Sequence, residues 1–231
     1  MKRGLILSLA TLLAAPAANA GTLDLTYVGS VSGYRVVTID AVPVHVAGGD
    51  DTVNAGGFQM EDTGPSGFGS FIAWCLDLGA YLGSSGTHEY EVTDTPFQNG
   101  GQSLLPDSMA RLSSIFNANF GDAITVSAEA SAAFQLALWE AIYDVDMNID
   151  TGSFQASSSN ATVESLASDY LSAALTYSGP SVFDLTYLES TAAHRSQNLV
   201  TATPSPVPVP AAGVLLLAGL GGLAGLKRRK G

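Results

Sequence analysis

Over residues 22–71, hydrophobic and polar positions alternate in short runs broken by glycine. Leu23, Leu25 and Tyr27 alternate with polar neighbours, residues 34–39 are rich in β-branched side chains, and Gly48-Gly49-Asp50-Asp51 and Gly56-Gly57 interrupt the pattern. A period of two bounded by turn residues predicts strands. Residues 71–78 form a nearly continuous apolar run of strand length, suited to a strand covered on both faces. A further strand is predicted over 89–93.

The period then lengthens. Residues 107–120 place Met109, Leu112, Ile115 and Phe116 on one helical face, and Gly121-Asp122 ends that segment. Ser127 is placed to cap a longer helix reaching Tyr143, which is apolar nearly all round from 130 to 142 and should therefore be buried by the rest of the domain. A third helix, capped by Asn160 or Thr162, carries Val163, Leu166, Tyr170 and Leu171 along one side. After Gly179-Pro180, residues 182–188 read as a closing strand. The predicted fold class is α+β: a β-barrel or β-sandwich with a helical insertion, flanked by an N-terminal signal segment and a C-terminal hydrophobic sorting helix.

The two ends differ from the middle. Lys2 and Arg3, an apolar stretch over 5–15 and the small residues Ala18-Asn19-Ala20 make residues 1–20 a signal peptide, with cleavage expected between Ala20 and Gly21. The domain proper is expected over 21–200, followed by a Pro-rich linker over 201–206. Residues 207–231 then combine Val207-Pro208-Val209-Pro210-Ala211, an apolar segment over 211–226 and the basic tail Lys227-Arg228-Arg229-Lys230. That segment is slightly shorter than the ~20 residues of a full helical span, but flanking basic residues can reach the headgroups, so a transmembrane helix with a cytoplasmic tail is expected. This tripartite end resembles the PEP-CTERM sorting signal in its Val-Pro-Leu-Pro-Ala variety, matched at Val207, Pro208, Pro210 and Ala211, with Val209 in place of the usual leucine. The resemblance implies processing by an exosortase in a Gram-negative bacterium. It also implies transient residence in the inner membrane and delivery to the cell surface or extracellular matrix.

Composition sharpens the middle. All 21 acidic residues lie between the two end segments, where Arg35, Arg111 and Arg195 are the only lysines or arginines. The full-length formal charge of −12 therefore understates the acidity of the domain. Such a field repels nucleic acid and anionic lipid and draws cations or amine-bearing partners. Without a lysine in the domain, no Lys-Asn isopeptide staple can form there.

Two residues stand out for chemistry. Cys75, the only cysteine of the chain, sits in Phe71-Ile72-Ala73-Trp74-Cys75-Leu76-Asp77-Leu78, and so has no intramolecular disulfide partner. Gln135 stands among Phe134, Leu136, Leu138 and Trp139 on the second helix, where an unpartnered amide would cost about 1–3 kcal/mol. One reaction removes both anomalies: the Cys75 sulfur attacks the Gln135 side-chain carbonyl, ammonia leaves, and a thioester joins strand to helix. The two segments resemble the paired motifs of bacterial Cys-Gln thioester domains. Trp74-Cys75-Leu76-Asp77 matches the cysteine motif, and Phe134-Gln135-Leu136-Ala137-Leu138-Trp139 matches the glutamine motif. The resemblance spans roughly 53–187 and implies a covalent surface adhesin or linker that acylates an amine or hydroxyl on its target, a single-use device rather than a turnover enzyme. The motif neighbours Trp74, Asp77, Phe134 and Trp139 are expected around the bond. A noncovalent structural protein of the exopolysaccharide or biofilm matrix is the alternative function.

Other signals are weaker. Cys75 with His88 could form a hydrolase pair, but no family motif accompanies it. His45, His88 and His194 show no metal-ligand spacing. Residues 144–152 place oxygen-bearing side chains at alternate positions, faintly like a calcium loop. An EF-hand loop requires glycine at its sixth position and glutamate at its twelfth, where this chain has Ile149 and Gln155. A turn leading into an alternating strand over 147–154 is the favoured reading, and no metal or cofactor is assigned.

Overall fold

The computed structural model describes residues 21–99, 103–191 and 196–206. The expected signal peptide with Ala20, the sorting motif at Val207, Pro208, Pro210 and Ala211, the membrane helix over 211–226 and His194 lie outside the described residues.

Among the described residues there are nine strands: β1 (Thr22–Ser30), β2 (Arg35–Ala41), β3 (Thr52–Ala55), β4 (Phe58–Asp62), β5 (Ser70–Cys75), β6 (Thr87–Thr93), β7 (Gln155–Ser157), β8 (Phe183–Ser190) and β9 (Leu199–Pro204). Six of them close an antiparallel barrel in the order β1-β4-β5-β9-β8-β6, settling barrel against sandwich. Closure leaves these strands no free edge. The inward positions of the period-two pattern, among them Leu25, Met60 and Tyr90, are fully buried. A second antiparallel sheet, β3-β2-β7, stands beside the barrel.

Three helices fill the insertion: α1 (Ser108–Thr125), α2 (Ala128–Tyr143) and α3 (Ala161–Thr176). The predicted caps are in place: Ser127 Oγ accepts from the Ala130 N–H, and Asn160 accepts from the Thr162 N–H. Every residue of α2 except Glu129 is buried, as its apolar circumference requires. Trp74 of β5 packs edge-on against Phe134 of α2 at 5.1 Å, and Phe116 of α1 meets the same Phe134 at 5.0 Å, so barrel and helices share one aromatic core.

Polar contacts fix α2 lengthwise against the sheets. Glu129 pairs with Arg35 of β2 at 2.7 Å, Ser131 Oγ accepts from the Gly57 N–H at 2.7 Å, and the Tyr143 hydroxyl accepts from the Leu78 N–H at 2.7 Å. Gln135 therefore has little freedom to slide.

Four segments differ from the sequence reading. The first helix does not stop at Gly121-Asp122: α1 runs through both residues to Thr125, since a glycine inside a helix costs only about 1 kcal/mol. The apolar run over 71–78 stops being a strand at Cys75, because the following backbone turns to serve α2 and the β9 segment. Residues 147–154 form turns instead of an alternating strand: the Asp144, Asp146 and Asn148 side chains accept from nearby backbone N–H groups, and only Gln155–Ser157 pairs with β2. The expected linker from Thr201 begins inside β9. Thr201 is buried and its hydroxyl donates to the Ile72 carbonyl at 2.6 Å, so the barrel's last strand continues to Pro204.

Candidate functional site

Cys75 ends β5 where two ladders hand over. On one side the β4 pairing stops at Phe58 opposite Ala73, and on the other Cys75 lies opposite Leu199 of β9. The Cys75 backbone has run out of strand partner on the β4 side. Gln135 supplies the replacement: Cys75 N–H donates to Gln135 Oε1 at 3.0 Å, and Gln135 Nε2 donates to the Cys75 carbonyl at 2.8 Å. A fully buried carboxamide thus continues the sheet's hydrogen bonding from a helix, which offsets the penalty of placing an amide on an apolar face.

The structure brings Cys75 and Gln135 together as the sequence suggested, but through the cysteine's backbone. The residue against the sulfur is Gln197, one that the sequence reading did not single out. Its Oε1 accepts the Cys75 thiol, and its Nε2 donates to the Asp77 carbonyl at 2.8 Å. Both ends of this carboxamide are held by the segment 75–77.

The backbone around Gln197 is equally fixed. Its N–H donates to the Tyr81 carbonyl at 3.1 Å, and its carbonyl accepts from the Tyr90 phenol at 3.0 Å. Asp77 is buried and its Oδ2 accepts from the Asn198 N–H at 2.9 Å. Ser196 Oγ stands 2.8 Å from the Tyr90 oxygen. This polar knot locks the entry to β9 onto the exit of β5.

Burial first, and then the Asp77 charge, hold the Cys75 thiol well above its ordinary value. The sulfur is therefore kept as a neutral thiol at physiological pH, unlike a cysteine activated as a thiolate nucleophile. His88 uses its Nε2 on the Ser85 carbonyl at 3.0 Å.

Cys75 and Gln197 open onto a cleft of about 490 Å³ between the barrel and the second sheet. Tyr27, Tyr34, Tyr81 and Trp139 contribute aromatic wall, and Asp50 an acidic one. Trp139 is buried, and its Nε1–H has no hydrogen-bond partner among the described residues. Of the expected motif neighbours, Trp74 and Phe134 build the aromatic core behind the cysteine, Asp77 anchors the β9 segment, and Trp139 faces the cleft.

Gln197 escaped notice because Ser196-Gln197-Asn198 is a polar tripeptide beside what read as a tether. The available signal was Leu199-Val200, a strand opening where the chain has no helical period.

The sequence matches no protein-family profile and no curated protein. Its structural neighbours include bacterial thioester domains. The chain is similar to the N-terminal thioester domain of a Clostridium perfringens surface protein, with 14% identity, 74% of this chain and 99% of that one covered, and a TM-score of 0.43. It is also similar to the N-terminal thioester domain of the fibronectin-binding protein SfbI from Streptococcus pyogenes, at 16% identity with 75% and 95% covered and a TM-score of 0.42. A third likeness is to the N-terminal domain of the Streptococcus pyogenes pilus tip adhesin Cpa, at 13% identity with 78% and 98% covered and a TM-score of 0.41.

Proposed function

We propose that this protein is an exported covalent adhesin or linker whose internal thioester joins Cys75 to Gln197, with Gln135 as the residue that positions the cysteine. The observation that carries the proposal is the Cys75 thiol lying against the Gln197 carboxamide while the amide nitrogen of that group is held by Asp77. In the bond-forming step the sulfur attacks Gln197 Cδ, the thiol proton passes to the amide nitrogen, the C–N bond breaks and ammonia departs. Holding the two groups in contact supplies the orientation such a step needs.

The product is an acyl donor at the floor of the cleft. An incoming amine attacks the thioester carbonyl, the C–S bond breaks, the displaced sulfur takes up a proton, and the target is left joined to Gln197 by an amide. A hydroxyl would leave an ester by the same route. The burial that keeps Cys75 neutral also limits the access of water to the thioester before a target arrives. Each molecule acts once. The expected signal peptide and exosortase-type sorting signal would deliver it to the surface of a Gram-negative cell.

Intact mass of the purified protein tests the pairing. A species lighter by one ammonia is expected in the wild type and lost in both Cys75→Ala and Gln197→Ala. Gln135→Ala should retain some of it, because that variant loses only the support of the Cys75 backbone. Loss in Gln135→Ala with full retention in Gln197→Ala would reverse the assignment to the Cys75-Gln135 pair. A full-mass wild type with a titratable thiol would leave the fold with a noncovalent role.

A further inference from the structure

We infer that Glu140, Asp144 and Asp146 form a binding site for a divalent cation, most suited to calcium, at the C-terminal end of α2. One carboxylate oxygen from each lies within 4.8 Å of the others. Asp144 Oδ1 accepts from Val145 N–H at 2.6 Å, and its Oδ2 from the Phe154 N–H at 3.0 Å and from the Ser153 N–H. Asp146 is held by the Asn148 N–H at 3.0 Å and the Thr151 hydroxyl at 2.9 Å. These neutral donors orient the two aspartates and leave their charge in place.

Glu140 points beyond a solvated acidic turn. It is fully buried, and although Oε1 accepts from the Asn148 N–H at 3.1 Å, Oε2 has no hydrogen-bond partner among the described residues. A carboxylate oxygen out of water with only the Asp144 and Asp146 carboxylates to face is costly. The only ion pair among the described residues joins Arg35 to Glu129, so no arginine closes on the cluster. Arg111, whose charge acts on both Glu140 and Asp144, instead spends its guanidinium on the Ala141 and Pro106 carbonyls and Ser108.

A cation bound by all three would satisfy the orphan oxygen and the surplus charge together. Three oxygen donors with no nitrogen or sulfur favour a hard cation, and ligands drawn from a helix and an irregular turn suit the tolerant coordination of calcium better than the strict octahedron of magnesium. Gly152 keeps the turn closed over the site: a Cβ there would meet Asp144 Oδ2 at 2.0 Å and Asp146 Oδ2 at 2.8 Å. The site also has leverage on the cleft. It adjoins Trp139 on α2, and its loop runs directly into β7, which pairs with the cleft-lining strand β2. The inference stands apart from the acylation chemistry.

The test is calcium chloride added to chelator-stripped full-length protein, read by calorimetry and by thermal unfolding, with magnesium chloride as comparator. One calcium per chain is expected, with a Kd of about 0.1–1 mM and a Tm rise of about 2–6 °C at saturating calcium. Both should be lost in Asp146→Asn, an exposed substitution that the fold tolerates, and in Glu140→Gln. Absence of binding at about 10 mM calcium, or a Tm rise undiminished in Asp146→Asn, would overturn the site. So would a wild type indifferent to calcium but stabilised by Glu140→Gln, which would assign the cluster to a shared proton.

Discussion

Glutamine at 135 and glutamine at 197 present the same functional group in opposite employments. Gln135 gives both ends of its carboxamide to the Cys75 backbone, so its carbonyl is already committed. Gln197 gives its nitrogen to Asp77 and its oxygen to the sulfur, and its carbon is the site attacked in the proposed bond-forming step. The cysteine then carries a signature in pH. Its thiol is raised above the ordinary value of 9.0, by burial and then by Asp77. Above that ordinary value the unfolded chain loses its thiol proton while the folded chain keeps it, so the folded state loses stability as pH climbs towards and through the raised value. In Gln197→Ala, which retains the free thiol, urea midpoints should hold up to about pH 8.5 and then fall. Tyr90 and Tyr187, also raised by burial, contribute in the same direction. The comparison that isolates Cys75 is therefore the double variant Cys75→Ala with Gln197→Ala, which should fall less. Equal slopes in the two variants would show that the thiol is not held neutral by the fold.

At the scale of elements, the junction of β4, β5 and α2 determines where the cysteine points. Gly57 precedes β4 and donates to Ser131 of α2, and a Cβ there would meet the Trp74 ring at 2.8 Å. Trp74 is fully buried between Phe116 and Phe134, so the ring has nowhere to retreat. Gly57→Ala should cost about 1–3 kcal/mol, visible as a lowered urea midpoint, and should reduce the ammonia-loss species by displacing β5. An unchanged midpoint would mean that the aromatic layer is looser than its packing indicates. The helices and most barrel strands were legible in the sequence because their information is local. Ser127 and Asn160 announce caps, α2 is apolar all round, and β1 alternates. Gln135 beside Cys75 was legible, but the side chain against the Cys75 sulfur was not, because it depends on which strand follows β5 around the barrel, a closure between positions 122 residues apart. The turn over 147–154 was misread for a related reason. Its alternation reflects side chains bonding back to their own backbone, with Asp144 and Asp146 beside Glu140, a pattern that imitates a strand of period two.

The whole molecule sets the conditions under which a target would reach the proposed thioester. Twenty-one acidic residues share the middle of the chain with three arginines, and Asp50 stands on the wall of the cleft that contains Cys75. The negative field concentrates cations at the cleft, and its reach shrinks to about 10 Å at 0.1 M salt. A neutral amine gains nothing from that field, whereas a diamine attacks through one uncharged nitrogen while the other remains an ammonium ion drawn to the acidic wall. The two nucleophiles therefore respond differently to ionic strength. Acylation of a diamine, followed as adduct mass against time, should slow about three- to tenfold between 20 mM and 500 mM sodium chloride, while acylation by an uncharged hydroxylamine derivative should change by less than about twofold. Asp50→Asn should flatten the diamine's salt dependence without altering the rate with the neutral nucleophile, since that side chain lines the approach and is not among the groups that hold the Gln197 carboxamide. If both nucleophiles show the same salt response, the acidity of the domain serves solubility alone, and selection of the acyl acceptor rests on the aromatic walls of the cleft.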